Sequence, residues 1–214
     1  MHQTVKNLIS IKKELELISN KIPSIIAVSK TFPMSNILPL IEHGHIDFGE
    51  NKVQEALEKW NEIKEKFSQV KLHMVGKLQS NKVKFVLPLF DFIHSLDNEK
   101  LAQKIADEQK KYKKKPKIFI QVNLGAEDQK SGILINDLIE FYNYSKNLNL
   151  NVIGLMCIPP FDEDSTKFFL QMSELNEKIN LKELSMGMSS DYMKAVEYKS
   201  TFLRIGSNIF GQRG

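Results

Sequence analysis

The segment Ile25-Ile26-Ala27-Val28-Ser29-Lys30 brings a single lysine to the tip of an apolar run, and Phe202-Leu203-Arg204-Ile205-Gly206-Ser207 runs an arginine into Gly-Ser. An amine at one strand end and Arg-x-Gly-Ser at another are the groups needed to hold an aldehyde cofactor that bears a phosphate. Composition singles out the arginine. The chain carries 30 Lys and Arg residues, yet Arg204 and Arg213 are its two arginines, both within the last eleven positions. A planar, permanently protonated fork is kept where a flexible ammonium would not serve.

Each of these residues has a plainer role to weigh. Lys30 is a solvated loop cation unless its apolar run and the following Thr31-Phe32-Pro33 desolvate the amine, which would leave neutral nucleophile for a Schiff base. Gly206-Ser207 is an ordinary turn, or a phosphate cradle of backbone N–H groups and a hydroxyl after a last strand. Ser189 either donates to the same phosphate or, with Ser190 or Asp191, caps a helix. A buried Arg204 requires an acceptor. That acceptor is a carboxylate such as Glu50, or the nitrogen of a pyridine ring. A pyridine nitrogen that accepts from arginine stays unprotonated, and such a ring is a poor electron sink. Asn51 reaches a ring hydroxyl or caps a helix beginning at Lys52.

Other polar residues rank below these. His73 and His94 fall inside predicted strands and read as satisfied core groups. The five histidines form no metal-ligand spacing with Cys157, the single cysteine. Lys77 and Lys82 flank a polar loop that solvation explains.

Positioning such groups takes an alternating frame. Short runs rich in Ile, Val, Leu and Phe predict strands at 25–29, 45–48, 72–75, 92–95, 117–122, 151–156, 183–186 and 202–205. Runs of this kind suit strands buried on both faces. Between them apolar residues recur at helical steps: Val53, Ala56, Leu57, Trp60, Ile63 and Phe67; Leu101, Ile105 and Tyr112; Phe168, Met172, Leu175 and Ile179. Asp97, Asp162 and Asp191 stand where N-caps are expected. Val5, Leu8, Ile11, Leu15 and Ile18 predict one helix before the first strand. Eightfold strand–helix alternation predicts α/β architecture: a single (β/α)8 TIM barrel with an extra N-terminal helix, spanning 1–214 as one domain. No Gly-x-Gly-x-x-Gly follows the first strand to favour an open dinucleotide sheet.

Composition narrows the function classes. The chain has 214 residues, 42% hydrophobic and 26% charged, with net charge +4. The lysine-rich run 110–117 reads as a solvated helix end, and scarce arginine argues against nucleic acid. One cysteine permits no internal disulfide. No apolar stretch approaches membrane length, and residues 1–4 lack a signal-like pattern. A cytoplasmic protein without membrane or nucleic-acid partners is expected.

The ordered set of short motifs resembles the pyridoxal phosphate homeostasis protein family, relatives of the alanine racemase barrel. It comprises Ala27-Val28-Ser29-Lys30, Phe48-Gly49-Glu50-Asn51, Gly76-Lys77-Leu78-Gln79-Ser80-Asn81-Lys82, Ser95-Leu96-Asp97, Leu184-Ser185-Met186-Gly187-Met188-Ser189 and Arg204-Ile205-Gly206-Ser207. The resemblance implies pyridoxal 5'-phosphate (PLP) held as a Schiff base on Lys30. It implies phosphate contacts from Ser189, Gly206 and Ser207, a ring-nitrogen contact from Arg204 and a ring contact from Asn51. Two positions depart from the family pattern. Lys199 stands where glycine is usual before Ser-Thr, and Ser207 replaces a frequent threonine.

Racemases of the related barrel add a second domain that supplies an acid–base tyrosine, and two-base racemisation needs such a donor on the opposite ring face. None can be nominated in these 214 residues. The expectation is therefore a monomeric, non-catalytic protein that buffers PLP or passes it to PLP-dependent apo-enzymes. The alternatives are a weakly active PLP-dependent amino-acid racemase or decarboxylase, and a barrel for some other phosphorylated metabolite.

Overall fold

The structure, a computed structural model, describes residues 1–127 and 129–212. The apolar runs form eight strands: β1 (Ser24–Val28), β2 (Asp47–Glu50), β3 (Lys71–Met74), β4 (Phe92–Leu96), β5 (Lys117–Gln121), β6 (Asn151–Met156), β7 (Glu183–Met188) and β8 (Phe202–Ile205). Each pairs in parallel with the next, and β8 closes on β1 through Ser24↔Phe202 and Ile26↔Arg204. The helices between them are α2 (Met34–Glu42), α3 (Val53–Lys66), α4 (Val83–Leu89), α5 (Glu99–Tyr112), α6 (Leu138–Asn147), α7 (Ser165–Lys178) and α8 (Tyr192–Glu197). This is the expected (β/α)8 TIM barrel. The extra helix α1 (Gln3–Ile18) precedes it, and the short α9 (Ser207–Phe210) follows β8. Asn7 Nδ2 on α1 donates to the Ile209 carbonyl at 2.9 Å, so the first helix packs on the last.

Helical periodicity located the packing faces. Val53, Ala56, Trp60, Leu101, Ile105, Phe168 and Met172 are buried, as are Val5, Leu8, Ile11 and Leu15. Ile18 and Tyr112 are not, because each ends its helix where the face turns away from the barrel. The second strand lies two residues later than 45–48. Gly44 has φ +90°, and the His45 amide closes α2 onto the Leu40 carbonyl at 2.9 Å, so His45 and Ile46 still belong to the turn.

The caps differ from expectation in two places. Asn98, not Asp97, caps α5 by accepting from Leu101 N at 2.9 Å. Asp164, not Asp162, accepts from Thr166 N to cap α7. Asp191 does precede α8, but its carboxylate reaches back to Met188 N at 2.7 Å. The N-cap position of α3 is Lys52, and Asn51 lies before it.

The lower barrel is packed with rings. His73 stacks on Phe92 at 4.1 Å and His94 on Phe119 at 4.3 Å between centroids, with Phe202 edge-on to Phe119. Among the described residues no helix is long and apolar enough to cross a membrane, and no three metal-ligating side chains group together.

Lys199 has φ +64°. The left-handed region costs an L-residue about 1–2 kcal/mol and glycine nothing comparable, which explains why glycine suits this turn. Lys199→Gly should therefore raise stability by about 1 kcal/mol. Urea denaturation of the two proteins measures it, and a lower midpoint for the glycine variant would contradict the strain.

Candidate functional site

A cavity of about 490 Å³ opens at the C-terminal end of the barrel, lined by Lys30, Ser189, Arg204, Gly206 and Ser207 among others. Parallel pairing is the reason that residues so distant in sequence share one wall. Because Ala27 lies opposite Ile205, the segments leaving β1 and β8 emerge side by side. Five of the six residues singled out from the sequence thus converge. Arg213 lies outside the described residues.

Asn51 is the sixth and does not line the cavity. It sits at the tip of β2 against Gly76, where an added Cβ would come within 2.4 Å of the Asn51 carbonyl oxygen. Its side-chain Oδ1 is buried with no hydrogen-bond partner among the described residues. Lys77 is exposed and Lys82 lies over the Phe85 ring, both away from the cavity.

Ser189 does not cap α8, whose N-cap position is Asp191. Its Oγ accepts from Gly206 N at 3.3 Å and Asn208 N at 3.4 Å, and its carbonyl accepts from Asn208 Nδ2 at 3.0 Å. It ties the loop after β7 to the start of α9. Both bonds to Oγ are longer than the usual N–H···O range, so an anionic oxygen competes well for those donors. Neither packing nor backbone demands glycine at 206. Its φ is −112°, and an added Cβ would meet nothing nearer than the Val28 carbonyl at 3.5 Å.

Arg204 is 5% exposed and does not pair with Glu50. Glu50 points outward from the barrel, where Oε1 accepts from Ser29 Oγ at 2.8 Å and Trp60 Nε1 at 3.0 Å and pairs with Lys59 at 2.8 Å. Arg204 instead donates from Nη1 to Ser185 Oγ at 2.7 Å and from Nη2 to the Cys157 carbonyl at 2.8 Å. Cys157 is buried filler as expected; burial pushes its thiol up to about 12. Its carbonyl, however, serves the site.

Behind Ser185 runs a polar chain in which His73 and His94 are the satisfied core groups expected, joined to Ser185 and Asp47, which the sequence did not single out. Ser185 Oγ lies 2.8 Å from His94 Nδ1, His94 Nε2 lies 3.0 Å from His73 Nδ1, and His73 Nε2 lies 3.0 Å from Asp47 Oδ1. Elementary valence sets its direction. Arginine has no acceptor, so Ser185 takes the guanidinium proton and gives its own to His94. His94 then donates from Nε2 to His73, and His73 donates from Nε2 to the Asp47 carboxylate. Both rings must be neutral for this to hold. Burial, then the neighbouring His73 ring and the Arg204 guanidinium, hold His94 well below the usual imidazole range; burial lowers His73 despite its bond to Asp47. A positive group at the cavity is thereby linked through the barrel core to a carboxylate near the opposite rim. Ser185 had stood inside the Leu184–Ser189 motif, but β7 pairs it with Phe202 and shifts register before Arg204, so no strand pattern marked it as the partner.

The neutral histidines make stability depend on pH. His45, His73 and His94 all have folded values below the unfolded 6.5, with burial lowering His45 to about 4. The unfolded chain therefore binds more protons below that pH, and stability falls as pH drops. Each fully unprotonated ring contributes up to roughly 1.4 kcal/mol per pH unit. Urea denaturation between pH 7 and about 5 should show a steep loss beginning near 6.5, and a flat profile would contradict the neutral chain.

Similarity to known proteins agrees with this geometry. Residues 7–214 match the family described as alanine racemase, N-terminal domain. A pyridoxal phosphate homeostasis protein of Pasteurella multocida is 39% identical over 200 residues, covering 88% of this chain and 86% of that protein. The human protein of the same name is 36% identical over 211 residues, covering 89% and 77%. PipY of Synechococcus elongatus, solved with PLP bound, superposes with a TM-score of 0.88 at 32% identity, covering 98% of this chain and all of that one. An alanine racemase of Clostridium difficile shares the fold alone, at 14% identity, TM-score 0.76 and 57% of its own length. The chain belongs to the pyridoxal phosphate homeostasis protein family, within the alanine racemase N-terminal domain fold.

Proposed function

We propose that this protein binds pyridoxal 5'-phosphate as a Schiff base on Lys30 and buffers or delivers it without turning it over. The observation that carries the reading is that Lys30, Arg204, Ser189, Gly206 and Ser207 line one cavity of a size suited to a small ligand. Cα-only glycine and the Ser189 and Ser207 hydroxyls suit the phosphate. Arg204, held on one edge by Ser185 and Cys157, suits a ring nitrogen that accepts. The unsatisfied Asn51 Oδ1 suits a ring hydroxyl at the cavity's flank. The bound cofactor would supply a reactive aldehyde, and the chain would keep that aldehyde occupied.

Two features favour handling over catalysis. An unprotonated pyridine stabilises a carbanion poorly. Among the described residues lining the cavity, Lys30 and Arg204 are the ionisable side chains, and racemisation or decarboxylation by this cofactor class draws on an acid other than the lysine. The names of the relatives point the same way. The reading extends to a monomeric, cytoplasmic chain whose residues 1–214 work as one unit and serve PLP-dependent apo-enzymes.

PLP added to the purified protein should give imine absorbance that Lys30→Ala abolishes. Arg204→Gln should keep the imine but weaken cofactor retention roughly tenfold, as expected for a lost bond to a charged donor. Imine at another lysine, or α-deuterium loss from amino acids at a useful turnover rate, would contradict the reading.

A further inference from the structure

Lys30 sits in a tight turn. Phe32 N donates to the Ser29 carbonyl at 3.1 Å, which makes Lys30 and Thr31 the central pair of a β-turn. Thr31 has φ +68°, whereas Lys30 is not among the residues with positive φ. That combination is a type II turn, whose third position favours glycine or asparagine. A β-branched residue there is strained, and strain of this kind persists only where the surroundings impose it.

The surroundings are two side chains of α3, one turn apart. Glu55 Oε1 accepts from Thr31 N at 2.5 Å. Lys59 Nζ donates to the Ser29 carbonyl at 2.9 Å and the Phe32 carbonyl at 3.3 Å, on either side of Lys30. The same ammonium pairs with Glu55 and Glu50, each at 2.8 Å. Glu50 in turn holds the Ser29 hydroxyl. The backbone before, after and across Lys30 is thus tied to one helix. With its protons committed to carbonyls and carboxylates, Lys59 is unsuited to compete for an aldehyde.

We propose that Glu55 and Lys59 are positioning residues for Lys30, clamping a strained turn so that the amine is aimed into the cavity. The inference rests on the reading above, in which Lys30 condenses with the aldehyde: a C=N bond forms between amine nitrogen and aldehyde carbon, and the carbonyl oxygen leaves as water. Neither Glu55 nor Lys59 lines the cavity. Loss of the clamp should therefore weaken covalent capture while sparing the non-covalent part of binding.

Pyridoxine 5'-phosphate separates the two, since it carries an alcohol in place of the aldehyde and cannot condense. Glu55→Gln and Lys59→Met should each lower the extent of imine formation with PLP roughly tenfold, the scale of one released backbone strain. Affinity for pyridoxine 5'-phosphate should change less than about twofold, well inside that scale. Thr31→Gly added to Glu55→Gln should restore capture, because glycine holds the turn without help. Capture at the wild-type level in either folded variant, equal losses for both ligands, or no rescue by Thr31→Gly would overturn the clamp. The two variants break it from opposite sides, so failure of one to fold leaves the other decisive. Absence of imine in the wild-type chain would overturn the functional reading and the clamp together. Imine in wild type and variants alike would overturn the clamp alone.

Discussion

A guanidinium buried at the top of the barrel core sets the terms for much of this structure. An unpaired charge at 5% exposure would be prohibitively costly. The molecule meets that cost with a hydroxyl, a carbonyl and a one-way chain of neutral rings ending on a carboxylate. Aromatic packing around His73 and His94 excludes water from the chain, which strengthens each bond and fixes each tautomer. The guanidinium that remains is directional: its orientation is settled before any ligand arrives. Preorganisation of this kind lowers the entropy lost when a ring nitrogen docks.

Closure of the barrel contributes the second constraint. Lys30 and the Gly206-Ser207 segment, far apart in the sequence, become neighbours because β1 and β8 pair in parallel. The helix α3 then fixes Lys30 from outside the barrel while the core fixes Arg204 from inside. One group is held by a strained turn, the other by a chain of hydrogen bonds.

The frame was largely legible because each strand is a short apolar run and each helix shows its buried stripe. Lys30, Gly206 and Ser207 were legible because strand ends in a barrel face one rim. The register of polar strands was less so: Asp47–Glu50 contains two carboxylates in four residues, and no hydrophobic run marks its start. Of the two acceptors offered for Arg204, the carboxylate fails because Glu50 and Arg204 point to opposite sides of the barrel wall, which depends on a one-residue alternation. The Asp47–His73–His94–Ser185 chain joins four strands, and no local pattern announces such a path. The Thr31 turn was hidden for the opposite reason, since its sequence lacks the glycine that normally marks it. Lys199 was visible as a departure from a glycine pattern, and its positive φ supplies the cause.

In the function proposed, Arg204, held by Ser185, presents a donor to a pyridine nitrogen that accepts. Nitrogen-15 NMR of the protein loaded with ring-labelled PLP reports the protonation of that atom directly. The expected shift is that of an unprotonated, hydrogen-bonded pyridine, unchanged across neutral pH. A pyridinium shift would mean that the ring nitrogen carries its own proton, and Arg204 could not be its donor.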